Sequence, residues 1–230
     1  MSTEPRPHRV LLVDDDAMVR TGLRMILTSA DDIEVVAEAG DGDEVVPAVQ
    51  AHAPDVVLMD LGMARMDGIS ATRAVRALPN PPQVVVLTSW DLDDAVLRSI
   101  AAGAAGFLLK TAGPTEIIEA VRAVATGDAI LSPRTTRRLL DHLASDAAQT
   151  DRRSAVELVG RLSERERDVA AAVGHGQGNE EIARSLYVSV ATVKTHLASA
   201  QAKLGVGNRV QVAVLAERAG LLSAPRRTSG

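Results

Sequence analysis

No cysteine occurs in this chain, which excludes disulfides, thiolate metal sites and cysteine nucleophiles. Aromatic residues are nearly as scarce, with one Phe, one Trp and one Tyr among 230 residues, so any core must be aliphatic. No apolar run approaches the ~20 residues of a membrane span, and the N-terminal Met1-Ser-Thr-Glu-Pro-Arg-Pro7 lacks a signal-peptide core. A soluble cytoplasmic protein is expected. Hydrophobic residues nevertheless make up 46% of the chain, enough for the cores of two small domains.

The formal net charge of −5 conceals a division. Up to residue 130 there are 10 Lys and Arg against 20 Asp and Glu; beyond it there are 15 against 10. An acidic half followed by a basic one points to a nucleic-acid-binding domain joined to something that is not one.

In the acidic half, short β-branched runs alternate with amphipathic stretches of helical length. Strands are expected at Arg9–Val13, Ile33–Ala39, Val56–Asp60, Val84–Thr88 and Gly106–Leu109, with helices near 17–29, 43–52, 68–77, 92–102 and 114–126. That pattern predicts one doubly wound α/β domain around a five-stranded parallel sheet. Polar residues gather at the C-terminal strand ends: Asp14, Asp15 and Asp16 after the first, Asp60 ending the third, Thr88 ending the fourth, Lys110 after the fifth. Ligands of open α/β sheets sit in the crevice beyond those ends. Any one of these acids could be a helix cap, but four strand ends supplying acids, a hydroxyl and a lysine make a site.

Clustered carboxylates are stable together only with a cation, and hard oxygen donors suit Mg²⁺. A carboxylate is ionised at neutral pH, so Asp60 can attack a phosphoryl group without a general base. Lys110 and Thr88 would then stabilise the phosphoryl oxygens.

The residues that carry this chemistry also carry a resemblance. Val10-Leu-Leu-Val-Asp14-Asp15, Asp60 with Met66-Asp-Gly68, Val86-Leu-Thr88-Ser89 and Gly106-Phe107-Leu-Leu-Lys110 together resemble the response-regulator receiver domain. The resemblance implies a flavodoxin-like strand order 2-1-3-4-5 and Asp60 as phosphoacceptor. It further implies Asp15, Asp60 and the Gly62 carbonyl as direct Mg²⁺ ligands, with Asp14 acting through water. Thr88 and Phe107 fall where the family keeps its switch pair. Two positions depart from the pattern: Ala64 replaces a usual Pro, which is expected to loosen the loop after Asp60, and Gly62 replaces a larger residue. Trp90 is expected to shield a phosphoryl group on Asp60 from water.

Beyond Thr126-Gly-Asp128, Ser132-Pro133 signals a short helix to about Leu143, and Ala144–Arg161 reads as a tether. Folded sequence resumes at Leu162, where Ser163 and Glu166 have capping-box spacing. Asn179 and Ser189 are then expected to cap the two helices of a helix-turn-helix, and a last helix follows from Asn208 to about Ala219. On the longer helix Val193, Leu197, Ala200 and Leu204 form the buried stripe, and Ala191, Lys194, Thr195 and Ala198 the outward face. Small residues and one cation suit approach to base edges.

This half resembles the LuxR-type domain of NarL/FixJ-type response regulators, through Leu162-Ser-Glu-Arg-Glu166, Asn179-Glu-Glu-Ile-Ala183, Ala191-Thr-Val-Lys-Thr-His196, Lys203-Leu204 and Asn208-Arg209. The resemblance implies Lys194, Thr195 and Ala198 at base-reading positions, Thr192 near phosphate and Ser189 among the DNA-binding residues. His196 is expected to be structural or to touch phosphate. The domains expected are a receiver over 8–128, a linker over 129–160 and a DNA-binding domain over 161–223. The function implied is that of a two-component transcription factor and not an enzyme. Its expected partners are a sensor histidine kinase, promoter DNA, a second copy on phosphorylation or DNA binding, and RNA polymerase as a further candidate. Two alternatives compete: a phosphorylation-independent receiver, and a phosphatase using the Asp-x-Asp spacing of Asp14 and Asp16.

Overall fold

The computed structural model describes residues 6–88, 94–127 and 149–223. Trp90 and the short helix expected at 132–143 lie outside them. The described residues form two compact units, one within 1–130 and one within 131–230.

In the first unit, strands β1 (His8–Val13), β2 (Ile33–Ala39), β3 (Val56–Asp60), β4 (Gln83–Thr88) and β5 (Gly106–Leu109) form one parallel sheet of order β2-β1-β3-β4-β5. Helices α1 (Ala17–Leu27), α2 (Val45–His52), α3 (Gly68–Arg76), α4 (Asp94–Ala101) and α5 (Pro114–Ala125) connect and follow the strands. β3, β4 and most of β1 are apolar because both faces are covered, whereas the edge strand β2 carries the exposed Glu34 and Glu38. Val10, Leu12, Leu58, Val85 and Leu108 pack with Leu23 and Leu27 of α1 and Ile117, Val121 and Val124 of α5. Leu11, Val13, Val57, Met59 and Val86 pack with Val45 and Val49 of α2 and Ala71 and Val75 of α3. Each Val, Leu, Ile or Met among them contributes about 1.5–3 kcal/mol by leaving water. This aliphatic burial holds the strand ends in register: Val13 pairs with Met59, and Asp60 with Leu87.

The second unit contains α6 (Gln149–Gly160), α7 (Glu164–Gly174), α8 (Asn179–Leu186), α9 (Val190–Leu204) and α10 (Arg209–Arg218). Val193, Leu197, Ala200 and Leu204 are buried, as the helical wheel requires. Two expectations are corrected here. The stretch read as a tether is helical from Gln149: Ala155, Val159 and Leu162, spaced to share one helix face, are buried, and Val159 and Leu162 join this unit's core. The charged residues between them mask that narrow stripe. The cap of α8 is Gly178, not Asn179. Asn179 is buried and accepts a hydrogen bond from Arg209 Nη1 at 3.2 Å, while Glu181 accepts the Gly178 N–H at 3.0 Å.

Candidate functional site

Three strand ends bring a charged cluster together. Asp14 follows β1, its N–H bonded to the Ala39 carbonyl of β2 at 3.3 Å. Asp60 ends β3. Lys110 follows β5, its N–H bonded to the Thr88 carbonyl at 2.7 Å. The Lys110 ammonium lies 2.7 Å from Asp14 Oδ2 and 2.9 Å from Asp60 Oδ1. Asp14 is fully buried, Asp60 is 5% exposed and Asp15 is open to solvent.

Burial pushes the Asp60 carboxyl above its ordinary range; the Lys110 hydrogen bond opposes this, and the charge on Asp14 adds to it. For Lys110, burial works against the ammonium, but its bonds to Asp14 and Asp60 prevail and raise its value.

Asp14, Asp15 and Asp60 each offer a carboxylate oxygen, and the three oxygens lie within 4.8 Å of one another. Three carboxylates against one ammonium leave two negative charges in excess, with oxygen donors alone, which fits a hard divalent cation. Gly62 stands beside them: a Cβ there would lie 3.9 Å from Asp60 Oδ2. Gly68 is needed for another reason, since a Cβ at that position would collide with the Asp60 carbonyl. Thr88 is buried, one residue beyond the partner of Asp60 on β4. Phe107 pairs with Val86 and packs, half-buried, on the α2 and α3 side of the sheet. Asp16, needed by the Asp-x-Asp alternative, is exposed and caps α1 through Met18 N–H at 2.8 Å.

The loop after Asp60, expected to be loosened by Ala64, is held by a residue the spacing did not single out. Asp41, 3% exposed, accepts the backbone N–H groups of Arg65 at 2.9 Å and Met66 at 2.8 Å, together with that of Gly42 at 2.8 Å. The Arg65 guanidinium forks onto Asp43 at 2.7–2.8 Å and reaches Glu44 at 2.6 Å, but it is 57% exposed. Hydrogen bonds to a buried charge contribute about 1.5–3 kcal/mol each, against about 0–1 kcal/mol for an exposed ion pair. The buried carboxylate is therefore the stronger hold. Its position just past β2, at the strand-end crevice, is the signal that could have found it.

In the second unit, Ser189 caps α9: its Oγ accepts Thr192 N–H at 3.0 Å and lies 2.8 Å from Thr192 Oγ1. Lys194, Thr195 and Ala198 are exposed on one side of α9, with Ala191. Thr195 Oγ1 donates to the Ala191 carbonyl at 3.0 Å, which leaves its lone pairs outward. His196 is half-buried. The residue that ties this helix to the rest is Glu166. Besides closing the capping box with Ser163, it accepts Ser199 Oγ at 2.7 Å and Lys203 Nζ at 2.7–2.8 Å, both on α9.

The first half matches the family model of the response regulator receiver domain over residues 10–122. The second matches that of bacterial regulatory proteins of the luxR family over residues 160–216. The chain belongs to the response regulators of two-component systems that join a receiver to a LuxR-type DNA-binding domain and regulate transcription. Among its relatives, the transcriptional regulatory protein LiaR of Bacillus subtilis (strain 168) is 40% identical over 210 residues, 91% of this chain and 97% of its own. The oxygen regulatory protein NreC of Staphylococcus carnosus (strain TM300) is 35% identical over 216 residues, 93% of this chain and 99% of its own. The crystal structure of ChrA, a response regulator of a heme-sensing two-component system, covers 94% of this chain and 100% of its own at 38% identity and a TM-score of 0.51. Among the described residues, no helix is long and apolar enough to cross a membrane.

Proposed function

We propose that Asp60 is the phosphoacceptor of a cytoplasmic transcription regulator, and that its phosphorylation by a partner histidine kinase controls dimerisation and promoter binding. The observation that carries this is the buried Asp60 carboxylate held 2.9 Å from Lys110 Nζ among Asp14 and Asp15. An Asp60 oxygen attacks phosphorus, the bond from phosphorus to the donor's imidazole nitrogen breaks, and the imidazole leaves with that electron pair. Lys110 turns from Asp60 Oδ1 to a phosphoryl oxygen, and the Thr88 hydroxyl donates to another. Asp14, Asp15, Asp60 and the Gly62 carbonyl would hold Mg²⁺, which when bound neutralises charge on the transferring group. Thr88 and Phe107 lie on the same side of the sheet by strand alternation, so a shift of the threonine opens space for the ring.

Treatment of the full chain with acetyl phosphate and Mg²⁺ is expected to add one phosphoryl group by mass, to favour a dimer and to tighten promoter binding. A chain that gains mass at a residue other than Asp60, or none at all, would refute the proposal.

The kinase needs a surface beside the pocket. On α1, Met18 is 84% and Met25 70% exposed, seven residues apart on one face, and flexible methionines suit a protein interface. Met18→Asp is expected to slow phosphotransfer from the kinase about tenfold while leaving the reaction with acetyl phosphate unchanged; equal slowing of both would exclude a docking role.

At the other end, Lys194 on the exposed face of α9 is proposed to read a base edge or phosphate, with Thr195 and Ala198 beside it and Ser189, Thr192 and His196 near the backbone. Lys194→Ala is expected to weaken promoter binding by about 1–3 kcal/mol, measured by fluorescence anisotropy at fixed salt. A second copy bound to the adjoining half-site and RNA polymerase beside it complete the proposed assembly.

A further inference from the structure

The pocket needs more than its charged groups. Gly62 is carried by the segment between β3 and α3, whose exposed Ala64 gives it no stiffness of its own. Three contacts hold that segment. At its far end the Gly68 N–H donates to the Leu61 carbonyl at 3.1 Å, with the Gly68 backbone against the Asp60 carbonyl. In the middle Met63 is buried in the core on the α2 and α3 side. Between these points, the consecutive N–H groups of Arg65 and Met66 both end on the two oxygens of Asp41.

Asp41 is itself buried and held from both sides. It follows β2, its Oδ1 is shared with the Gly42 N–H, and Gly42 packs so closely on the Met66 carbonyl that a Cβ has no room. Burial alone would raise its carboxyl, but the donors from Arg65, Met66 and Gly42 outweigh burial and hold it below the usual range. A buried acceptor-only group facing two adjacent amides dictates where both must lie.

We infer that Asp41 is a positioning residue of the phosphoacceptor pocket: by holding the Arg65 and Met66 amides, it sets the backbone that presents Gly62 beside Asp60. Its hydrogen bonds go to the amides of Gly42, Arg65 and Met66, and it acts through the loop. The inference rests on the reading of the pocket as a Mg²⁺ and phosphoryl site.

The test compares the full-length wild type with Asp41→Ala, Asp41→Asn and Val49→Ala, the last loosening α2 without touching the clamp. Mg²⁺ affinity is measured by calorimetry at a temperature where circular dichroism shows every variant folded, and amide exchange is followed at Arg65 and Met66. Asp41→Ala is expected to bind Mg²⁺ about tenfold more weakly, the scale of groups that orient metal ligands, and to exchange both amides faster. Asp41→Asn, which keeps one carbonyl acceptor, is expected to fall between, and it carries the test if the alanine variant does not fold. Val49→Ala is expected to lower the melting temperature and leave Mg²⁺ affinity unchanged. Wild-type affinity in both Asp41 variants, or an equal loss in Val49→Ala, would overturn the inference alone. A wild type that binds no Mg²⁺ would overturn it together with the reading of the pocket.

Discussion

Asp60→Asn is expected to melt at a higher temperature than the wild type in metal-free buffer while gaining no phosphoryl mass from acetyl phosphate. Asp60 and Asp14 are both buried, with Lys110 as the ammonium between them. Because burial, and then the charge on Asp14, raise the Asp60 carboxyl despite Lys110, the fold disfavours its ionised form. A raised folded value means that the group's contribution to stability is full below the ordinary 3.8 and is lost as pH rises through the folded value. The wild type therefore loses it on ionising. Asparagine never ionises, and its Oδ1 still accepts from Lys110. The gain is read as a rise in melting temperature, each 1 kcal/mol corresponding to about 4–8 °C for a unit of roughly 100 residues. Mg²⁺ should reverse the order, because it stabilises the wild type by binding and the variant much less. A variant that melts below the metal-free wild type would show that the pair with Lys110 outweighs the cost of the buried charges.

Glu166→Ala carries the largest expected loss in the second unit, about 3 kcal/mol, from several charge-assisted hydrogen bonds and a helix cap removed together. The loss is held to that figure because Lys203, its ionic partner, is 42% exposed and regains water when released. The Lys203 ammonium first, then Ser199 and the Ser163 N–H, push the Glu166 carboxyl down to about 2. A depressed folded value gives stability that is present above the ordinary 4.5 and lost as pH falls through the folded one. The difference between wild type and Glu166→Ala should therefore be full at neutral pH and close between about pH 4.5 and 2. Amide exchange along α7 and α9 reads this locally. Equal protection in the two proteins at neutral pH would show that Glu166 is only a cap.

Glu166 also illustrates what a sequence tells and what it withholds. Its capping box with Ser163 spans three residues and was legible from spacing; its bonds to Ser199 and Lys203 span 33 and 37 residues and were not. The same division runs through the first unit. Strands that are apolar on both faces and end in Asp60, Thr88 or a following Lys110 announce a sheet and its crevice, because burial and strand ends are local properties. Asp41 binds main-chain amides 24 and 25 residues away, and an amide has no side chain to betray it in a sequence. Gln149–Gly160 was missed because Ala155 and Val159 alone are buried among its described side chains, too narrow a stripe to stand out among charged neighbours. Asn179 misled by its type: the polar side chain that suggested a cap is spent on Arg209 inside the domain.

The order of the sheet has a consequence for how the chain is made. β1 lies between β2 and β3, so the two buried carboxylates come together as soon as β3 has paired. Lys110, which offsets part of their charge, follows the edge strand β5 and leaves the ribosome about 50 residues after Asp60, several seconds later at ordinary rates of synthesis. During that interval a nascent chain would hold Asp14 and Asp60 side by side with no ammonium from Lys110, an arrangement the low-dielectric interior opposes. Docking of β5 thus brings the first ammonium to the pocket, and without Mg²⁺ a chain ending before residue 110 should close its sheet less stably at neutral pH.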